Sequence, residues 1–341
     1  MAGGRLRVAV VGYGWWGRTI VRTLAESGLI EVAAVVETDA DAAAMARADA
    51  AGAFRVLPDF ASALSDASLA AVVLCTPHKA HAAQIVAAAQ AGKHVFCEKP
   101  LTLSLGDAQA AVAACRAAGV VLGIGHERRF EPAVLDLRRR IAAGELGTLL
   151  QVEANFSQDK FLAMKPDNWR LSPLHAPVGP LSATGIHLVD LAIAILGPAE
   201  SVWARLATRG SEFANGDTLG VMLGFAGGAN ALVSAILATP FEGRFAVYGS
   251  RGWVDIRDRT HPESPTGWDV TTCLRGAERV TAFVAPHGAV RANLEAFAQA
   301  AQGGAAYPVT QAEMLANVAA LEAIMRSVAS GRVEPVERTG P

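Results

Sequence analysis

The chain has 341 residues, enough for two domains that each bury a substantial core. Its 30 Lys and Arg nearly balance 32 Asp and Glu, leaving a net charge of -2 and no basic field to hold nucleic acid or an anionic membrane surface. Although 52% of the residues are hydrophobic, no run approaches the roughly 18 apolar residues of a membrane span, because alanine supplies much of that fraction. Cys75, Cys97, Cys115 and Cys273 form no C-x-x-C pair. This argues against structural zinc and a disulfide framework, no metal is expected, and a reducing cytoplasm fits best. The stretch "MAGGRLRVAVVGYG" holds too short an apolar run for a signal peptide.

Residues 6 to 125 alternate short β-branched runs with alanine-rich segments of helical length, the grammar of a parallel sheet with crossover helices. Strands are predicted at 6–11, 31–36, 70–75, 93–97 and 119–124, and their near-continuous apolar character means burial on both faces. After about residue 148 the pattern changes to hairpins. "TLGVMLGF" and "ANALVSAIL" flank Gly227-Gly228, and "FAVYG" and "GWVDI" flank Ser250-Arg251, which reads as an antiparallel sheet. Two alanine-rich helices are predicted near 288–301 and 311–329, packing back on the first domain. The expected division is 1–125 and 126–341. Arg138-Arg139-Arg140 reads as a solvated helix face.

"GYGWWG" places Gly12, Gly14 and Gly17 in a G-x-G-x-x-G pattern after the first strand and at the start of the first helix. The first glycine allows the tight turn, the second admits a pyrophosphate to the backbone, and the third lets helix and strand pack closely; free N–H groups at the helix start then meet the phosphates. Glu37, twenty residues after Gly17 at the end of the second strand, is placed to accept from both ribose hydroxyls. A 2'-phosphate there would meet Glu37 and Asp39, with Arg47 the next basic residue, so NAD is expected over NADP. Asp39 reads better as a helix cap than as a ribose contact. Trp15 and Trp16 either cover the cofactor or pack between helix and sheet.

A second signal, "HVFCEKPLT", ends the fourth predicted strand with Glu98, Lys99 and Pro100 at the carboxyl edge, where open α/β sheets place ligands. Farther on, "ATGIHLVDL" puts His187 and Asp190 on one face of an apolar helix. The stretch 75–102, together with "GYGWWG", "ERRFEP" at 127–132, "NWRLSP" at 168–173 and "GIHLVD" at 185–190, resembles the Gfo/Idh/MocA oxidoreductases, relatives of glucose-fructose oxidoreductase and inositol dehydrogenase.

That resemblance implies an N-terminal Rossmann domain with a doubly wound parallel sheet and a C-terminal α+β domain with a large, mostly antiparallel open sheet. Through that sheet it implies a homodimer or homotetramer. It also implies hydride transfer between nicotinamide and a secondary alcohol or ketone of a sugar, cyclitol or related ring. Lys99 falls on the lysine that bonds the reacting oxygen, and His187 on the catalytic histidine, whose imidazole suits proton transfer near neutral pH. Lys99 also adds charge where alkoxide develops. Asp190 either orients the ring or faces solvent. Arg128, Trp169 and Arg170 match positions near the substrate cleft, although an arginine there equally braces an interface. Tyr13, Thr76, Pro77, His78, His81, Glu98 and Lys99 join the glycines, Trp15, Trp16 and Glu37 in the expected cofactor set, with His81 the more structural of the two histidines. Cys97 reads as a small buried residue.

One position departs from the pattern: many dehydrogenating relatives carry Asp-x-x-x-His, and here the aspartate is replaced by Ala183. Three explanations stay open. The substrate is larger or anionic, a carboxylated cyclic diol for instance, met by Arg128, Lys160, Lys165, Arg170 or His175; or the Lys–His pair suffices for an ordinary sugar or cyclitol; or the chain is a catalytically weakened NAD-binding regulator, against which Lys99 and His187 argue.

Overall fold

The computed structural model describes residues 4–339. The chain opens with β1 (Leu6–Val11), α1 (Trp15–Leu24), β2 (Ile30–Val36), α2 (Ala40–Ala50), β3 (Arg55–Leu57), α3 (Phe60–Ser65), β4 (Ala71–Leu74), α4 (His81–Gln90), β5 (His94–Cys97), α5 (Leu105–Ala118) and β6 (Leu122–Ile124). The strands pair in parallel in the order β3-β2-β1-β4-β5-β6. The order in which the chain adds strands reverses between β1 and β4, the place where open α/β sheets bind ligands at their carboxyl ends. β4 is buried throughout and β1 everywhere but Arg7, as a sheet covered on both faces requires. Helix starts are capped by side chains: Asp39, Asp59 and Ser104 accept from the amides of Ala42, Ser62 and Asp107. β3 was not among the expected strands; it is a three-residue edge strand with no alternation to betray it.

The chain continues through α6 (Pro132–Ala142), β7 (Leu149–Ser157), α7 (Ile186–Leu196), β8 (Ala199–Ala207), β9 (Thr218–Phe225), β10 (Asn230–Ile236), β11 (Glu242–Gly249), β12 (Gly252–Asp258), β13 (Trp268–Leu274) and β14 (Val280–Val284). It closes with α8 (Ala289–Ala301), α9 (Gln311–Ser330) and β15 (Glu334–Pro335). The nine strands of this part run β14-β13-β12-β11-β7-β10-β9-β8-β15, with β7 and β10 the parallel pair in an otherwise antiparallel sheet. Both expected hairpins are present, as β9–β10 and β11–β12. The sheet is two-faced. Val152, Ala154 and Phe156 of β7 are buried, whereas Trp203, Met222 and Leu232 face one another across β8, β9 and β10 on the other side and are 41%, 47% and 40% exposed.

Two compact units result: residues through Glu127 with Val290–Met314, and Arg128–Ala289 with Leu315 onward. Of the closing helices, α8 places Leu294, Phe297 and Ala298 in the core formed with Leu6, Ile20, Leu24 and Phe96, whereas α9 from Leu315 belongs to the second unit. No described helix is long and apolar enough to cross a membrane.

Candidate active site

In the first unit the glycine loop joins β1 to α1. Gly12 has φ +91°, and a Cβ there would come 3.0 Å from the Cys75 carbonyl oxygen; one on Gly17 would come 1.9 Å from the carbonyl oxygen of Gly12 itself. Both positions therefore exclude a side chain, one for the turn and one for the helix–strand approach. A Cβ on Gly14 would meet nothing within 4 Å. Gly14 is also the N-cap of α1, a helix start with no side-chain cap and no acid in its first turn. A helix start without an acidic side chain beside open space fits the pyrophosphate of a dinucleotide.

Glu37 serves this loop directly. Its Oε2 accepts from Tyr13 N at 2.7 Å, and its Oε1 accepts from Thr38 N at 2.7 Å and Asp39 N at 2.9 Å. The carboxylate thus fixes the glycine loop to the end of β2. Asp39 caps α2 through Ala42 N. Tyr13 contributes through its backbone, since its ring is buried against Phe54 and its hydroxyl donates to Asp49. Trp16 packs against the unit's core, while Trp15 is 51% exposed. Arg47 is not the next basic residue in space: Arg18 and Arg22 of α1 line a groove of about 390 Å³ with Gly14, Trp15, Asp39 and Asp41. Sequence distance hid them, because they lie on the helix that the glycine loop starts.

At the carboxyl edge beyond β4 and β5, His81 acts as a strap. It is fully buried, with Nδ1 2.8 Å from the Pro100 carbonyl oxygen and Nε2 3.0 Å from that of Thr76. Burial lowers its pKa despite these carbonyls. Both nitrogens tie the Thr76-Pro77 segment to the turn that carries Lys99, in keeping with the structural reading of His81. His78 is its neighbour at 5.9 Å between ring centroids. Lys99 is half-buried and follows Glu98, whose carboxyl burial pushes up to about 7 against the opposing pull of Trp16 and Lys99. The Glu98 carboxylate fills the space beside Gly125, where a Cβ would come within 2.5 Å of it.

In the second unit His187 is the second residue of α7 and is 4% exposed. A π-helical turn, Leu181–Gly185, leads into that helix, and its Thr184 hydroxyl donates to the Phe156 carbonyl oxygen at 2.8 Å, anchoring the helix start to β7. The wider turn adds a residue to the helical repeat, a feature common at functional sites. Ala183 lies within it, packed against the cluster of Phe161, Leu171 and Leu237. Leu171 closes the single turn Trp169–Leu171, in which Arg170 stacks on Trp169 at 4.4 Å. Asn215 braces this segment by donating to the carbonyl oxygens of Arg170 and Ala176. Burial lowers the pKa of Arg170.

"ERRF" splits its two arginines between different tasks. Arg129 grips Asp190 of α7 with two hydrogen bonds of 2.6 and 2.7 Å, a buried pair that fixes the helix bearing His187. Arg128 is 1% exposed and donates to Glu131 at 3.0 Å and to both oxygens of Asp258 at 2.9 and 2.6 Å, while Trp268 Nε1 donates to Asp258. Two buried carboxylates thus hold Arg128, as the bracing alternative would have it. Its guanidinium lies 5.3 Å from the Phe156 ring centroid, and that ring lies 6.3 Å from His187. Arg128 therefore supports the wall behind the histidine. Lys160 is likewise engaged, by Glu263 at 2.8 Å. Among the described residues no group of His, Cys, Asp and Glu is arranged to hold a metal.

Residues 6–126 match the family model described as the oxidoreductase family with NAD-binding Rossmann fold, and 134–255 match the Gfo/Idh/MocA C-terminal domain. The chain belongs to the Gfo/Idh/MocA family. It is 31% identical to 1,5-anhydro-D-fructose reductase of Ensifer adhaerens over 94% of this chain and 98% of that one. It is 30% identical to D-xylose 1-dehydrogenase (NADP(+)) 2 of Haloferax volcanii over 88% and 90%. Aldose-aldose oxidoreductase from Caulobacter crescentus, solved with glycerol, superposes with a TM-score of 0.85 at 25% identity, covering 97% of this chain and 99% of that one. This family member is an NAD(P)-dependent oxidoreductase of CH–OH groups.

Proposed function

We propose that the enzyme uses NAD(H) to interconvert a secondary alcohol and a ketone on a neutral sugar or cyclitol ring, with Lys99 and His187 as its catalytic residues. The observation that carries the choice of a neutral ring is the engagement of Arg128 by Glu131 and Asp258 and of Lys160 by Glu263. Two of the five cations that would meet a carboxylated substrate are thereby matched already. The bound nicotinamide supplies the acceptor for the hydride of the carbinol carbon. His187 accepts the hydroxyl proton, and Lys99 hydrogen-bonds the oxygen and offsets the negative charge that grows on it. Gly12, Gly14 and Gly17 cradle the pyrophosphate, Glu37 takes the ribose, and Thr76, Pro77 and His78 border the nicotinamide side. Trp169, Arg170 and Ala183 flank the substrate.

Preference for NAD over NADP is supported by the Glu37 carboxylate, anchored among three amides with Asp39 and Asp41 nearby. Arg18 and Arg22 are the groups that would favour the opposite choice. A second copy of the chain is proposed to cover the exposed row Trp203, Met222 and Leu232, giving a homodimer or homotetramer; apolar patches of this kind mark subunit contacts. Location in the cytoplasm is consistent with the four free cysteines. The regulator reading is less favoured, because relatives matching nearly the full chain are named as a reductase and a dehydrogenase.

The test is a panel of myo-inositol, D-xylose, 1,5-anhydro-D-fructose and a carboxylated cis-diol, each assayed with NAD and NADP in the matching direction by NADH or NADPH absorbance. Turnover of a neutral ring with higher kcat/KM for NAD supports the proposal. Turnover of the carboxylated diol alone, or tighter use of NADP, overturns the corresponding part.

A further inference from the structure

The second unit gathers four rings from four places in the chain. Phe156 of β7 lies 6.3 Å from His187 of α7 and 5.5 Å from His261, in the loop between β12 and β13. Phe241, just ahead of β11, lies 5.5 Å from His261 and 6.2 Å from Phe156, the latter edge-on at 86°. An ordinary core would fill such a cluster with aliphatic and aromatic groups, since an imidazole must be hydrogen-bonded when buried. Here both imidazoles neighbour the same phenyl ring. Phe156 is 4% exposed and forms the floor, whereas Phe241 and His261 keep part of their surface open.

The polar groups around His261 are arranged in order. Its Nε2 lies 2.8 Å from Oε1 of Gln158, a buried residue directly after β7. Its Nδ1 lies 3.3 Å from both the amide nitrogen and Oε1 of Glu263, and Glu263 in turn holds Lys160. The Gln158 contact is short and fixes the ring. The two Glu263 contacts are long, and a hydroxyl group can exchange for them because it both donates and accepts.

We infer that His261 and Phe241 form a second, non-reacting contact for the ring of the substrate: Phe241 packs against its C–H face, and His261 with Glu263 recognises a hydroxyl remote from the reacting carbon. This makes His261 a specificity-determining residue, and it rests on the ring-alcohol function proposed above. A site that bonds a hydroxyl rejects the analogue lacking it far more strongly than an apolar pocket rejects a missing methylene. No covalent step involves His261.

The experiment uses whichever panel member the wild-type enzyme turns over, its mono-deoxy analogues, and the variants His261→Ala and His261→Gln, each checked by thermal melting. The expected result is a KM raised about tenfold or more in His261→Ala, with kcat within about threefold and partial rescue in His261→Gln. One deoxy analogue should be a poor substrate for wild type, and His261→Ala should no longer discriminate against it. A folded His261→Ala with unchanged KM and unchanged discrimination overturns the inference while leaving the ring-alcohol function standing. If wild type turns over no panel member, the function falls first, and the imidazole NMR signals of the histidines decide the rest. Signals assigned with His261→Gln that shift on adding the panel compounds with NADH support the contact, and signals that stay fixed overturn it.

Discussion

Lys99 and His187 are asked for different things, and their variants separate accordingly. Lys99→Ala and His187→Ala should each lower kcat by about 100-fold or more, in the range of positioned acid–base catalysis, while NAD affinity measured by tryptophan quenching stays within a few-fold. Near-normal turnover in His187→Ala would remove its proton-transfer role. Ala183 sits in the turn before His187 against Phe161, Leu171 and Leu237. Ala183→Asp should therefore cost about 1–2 kcal/mol of stability by bringing a carboxylate to that cluster, weaken the substrate, and move the pH profile of kcat/KM upward, because a nearby anion favours imidazolium. An unchanged melting temperature and profile would contradict this placement. Glu98 gives a pH-linked expectation. Its carboxyl is raised to about 7 by burial, so the folded state binds a proton that the unfolded chain has released between its ordinary range and 7; stability from this group is present at low pH and lost as pH rises through that window. Glu98→Gln should accordingly gain melting temperature over wild type at pH 8 and little at pH 5, by scanning calorimetry. The Asp39 cap and the close backbone approaches at Gly12 and Gly17 were legible because local spacing alone carries them. Arg128, Arg18 and His261 were not, because their partners, Asp258, the α2 acids and Gln158, are distant in sequence and follow no period.

At the scale of elements, the buried parallel strands β1, β2, β4 and β5 announced themselves as apolar runs, and the two tight hairpins by their turn residues. β3 escaped because three residues cannot show a period, and β7 because its partners β10 and β11 lie far along the chain and no local turn pairs it. The π-helical entry to α7 is similarly silent in sequence: it is set by Thr184 reaching the carbonyl oxygens of Phe156 and Pro180. The large sheet supplies the test at this scale. Trp203, Met222 and Leu232 form a continuous apolar row on its open face. Met222→Lys should shift the chain from oligomer toward monomer in sedimentation equilibrium while leaving the monomer folded, because Met222 is 47% exposed and its removal opens no cavity. A wild-type monomer, or an oligomer indifferent to the charge, would contradict assembly through this face.

In the whole molecule, one unit is an NAD-binding fold built on a parallel sheet, and the second holds His187 in place through its sheet, π-helical turn and paired arginines. Fold and family were legible because the family motifs recur in order along the chain; the substrate was not, because the walls that would recognise it come from the 158–161, 241 and 261 regions, which carry no motif. The central claim is that the carbinol hydrogen of a neutral ring alcohol passes to the nicotinamide. It is tested most directly by supplying the panel alcohol deuterated at its carbinol carbon, with NAD, and measuring deuterium in the recovered reduced cofactor by mass spectrometry. The account expects one deuterium per reduced cofactor with wild type and strongly reduced formation with His187→Ala. Unlabelled reduced cofactor, deuterium released to water, or no reduced cofactor from any ring alcohol would contradict it.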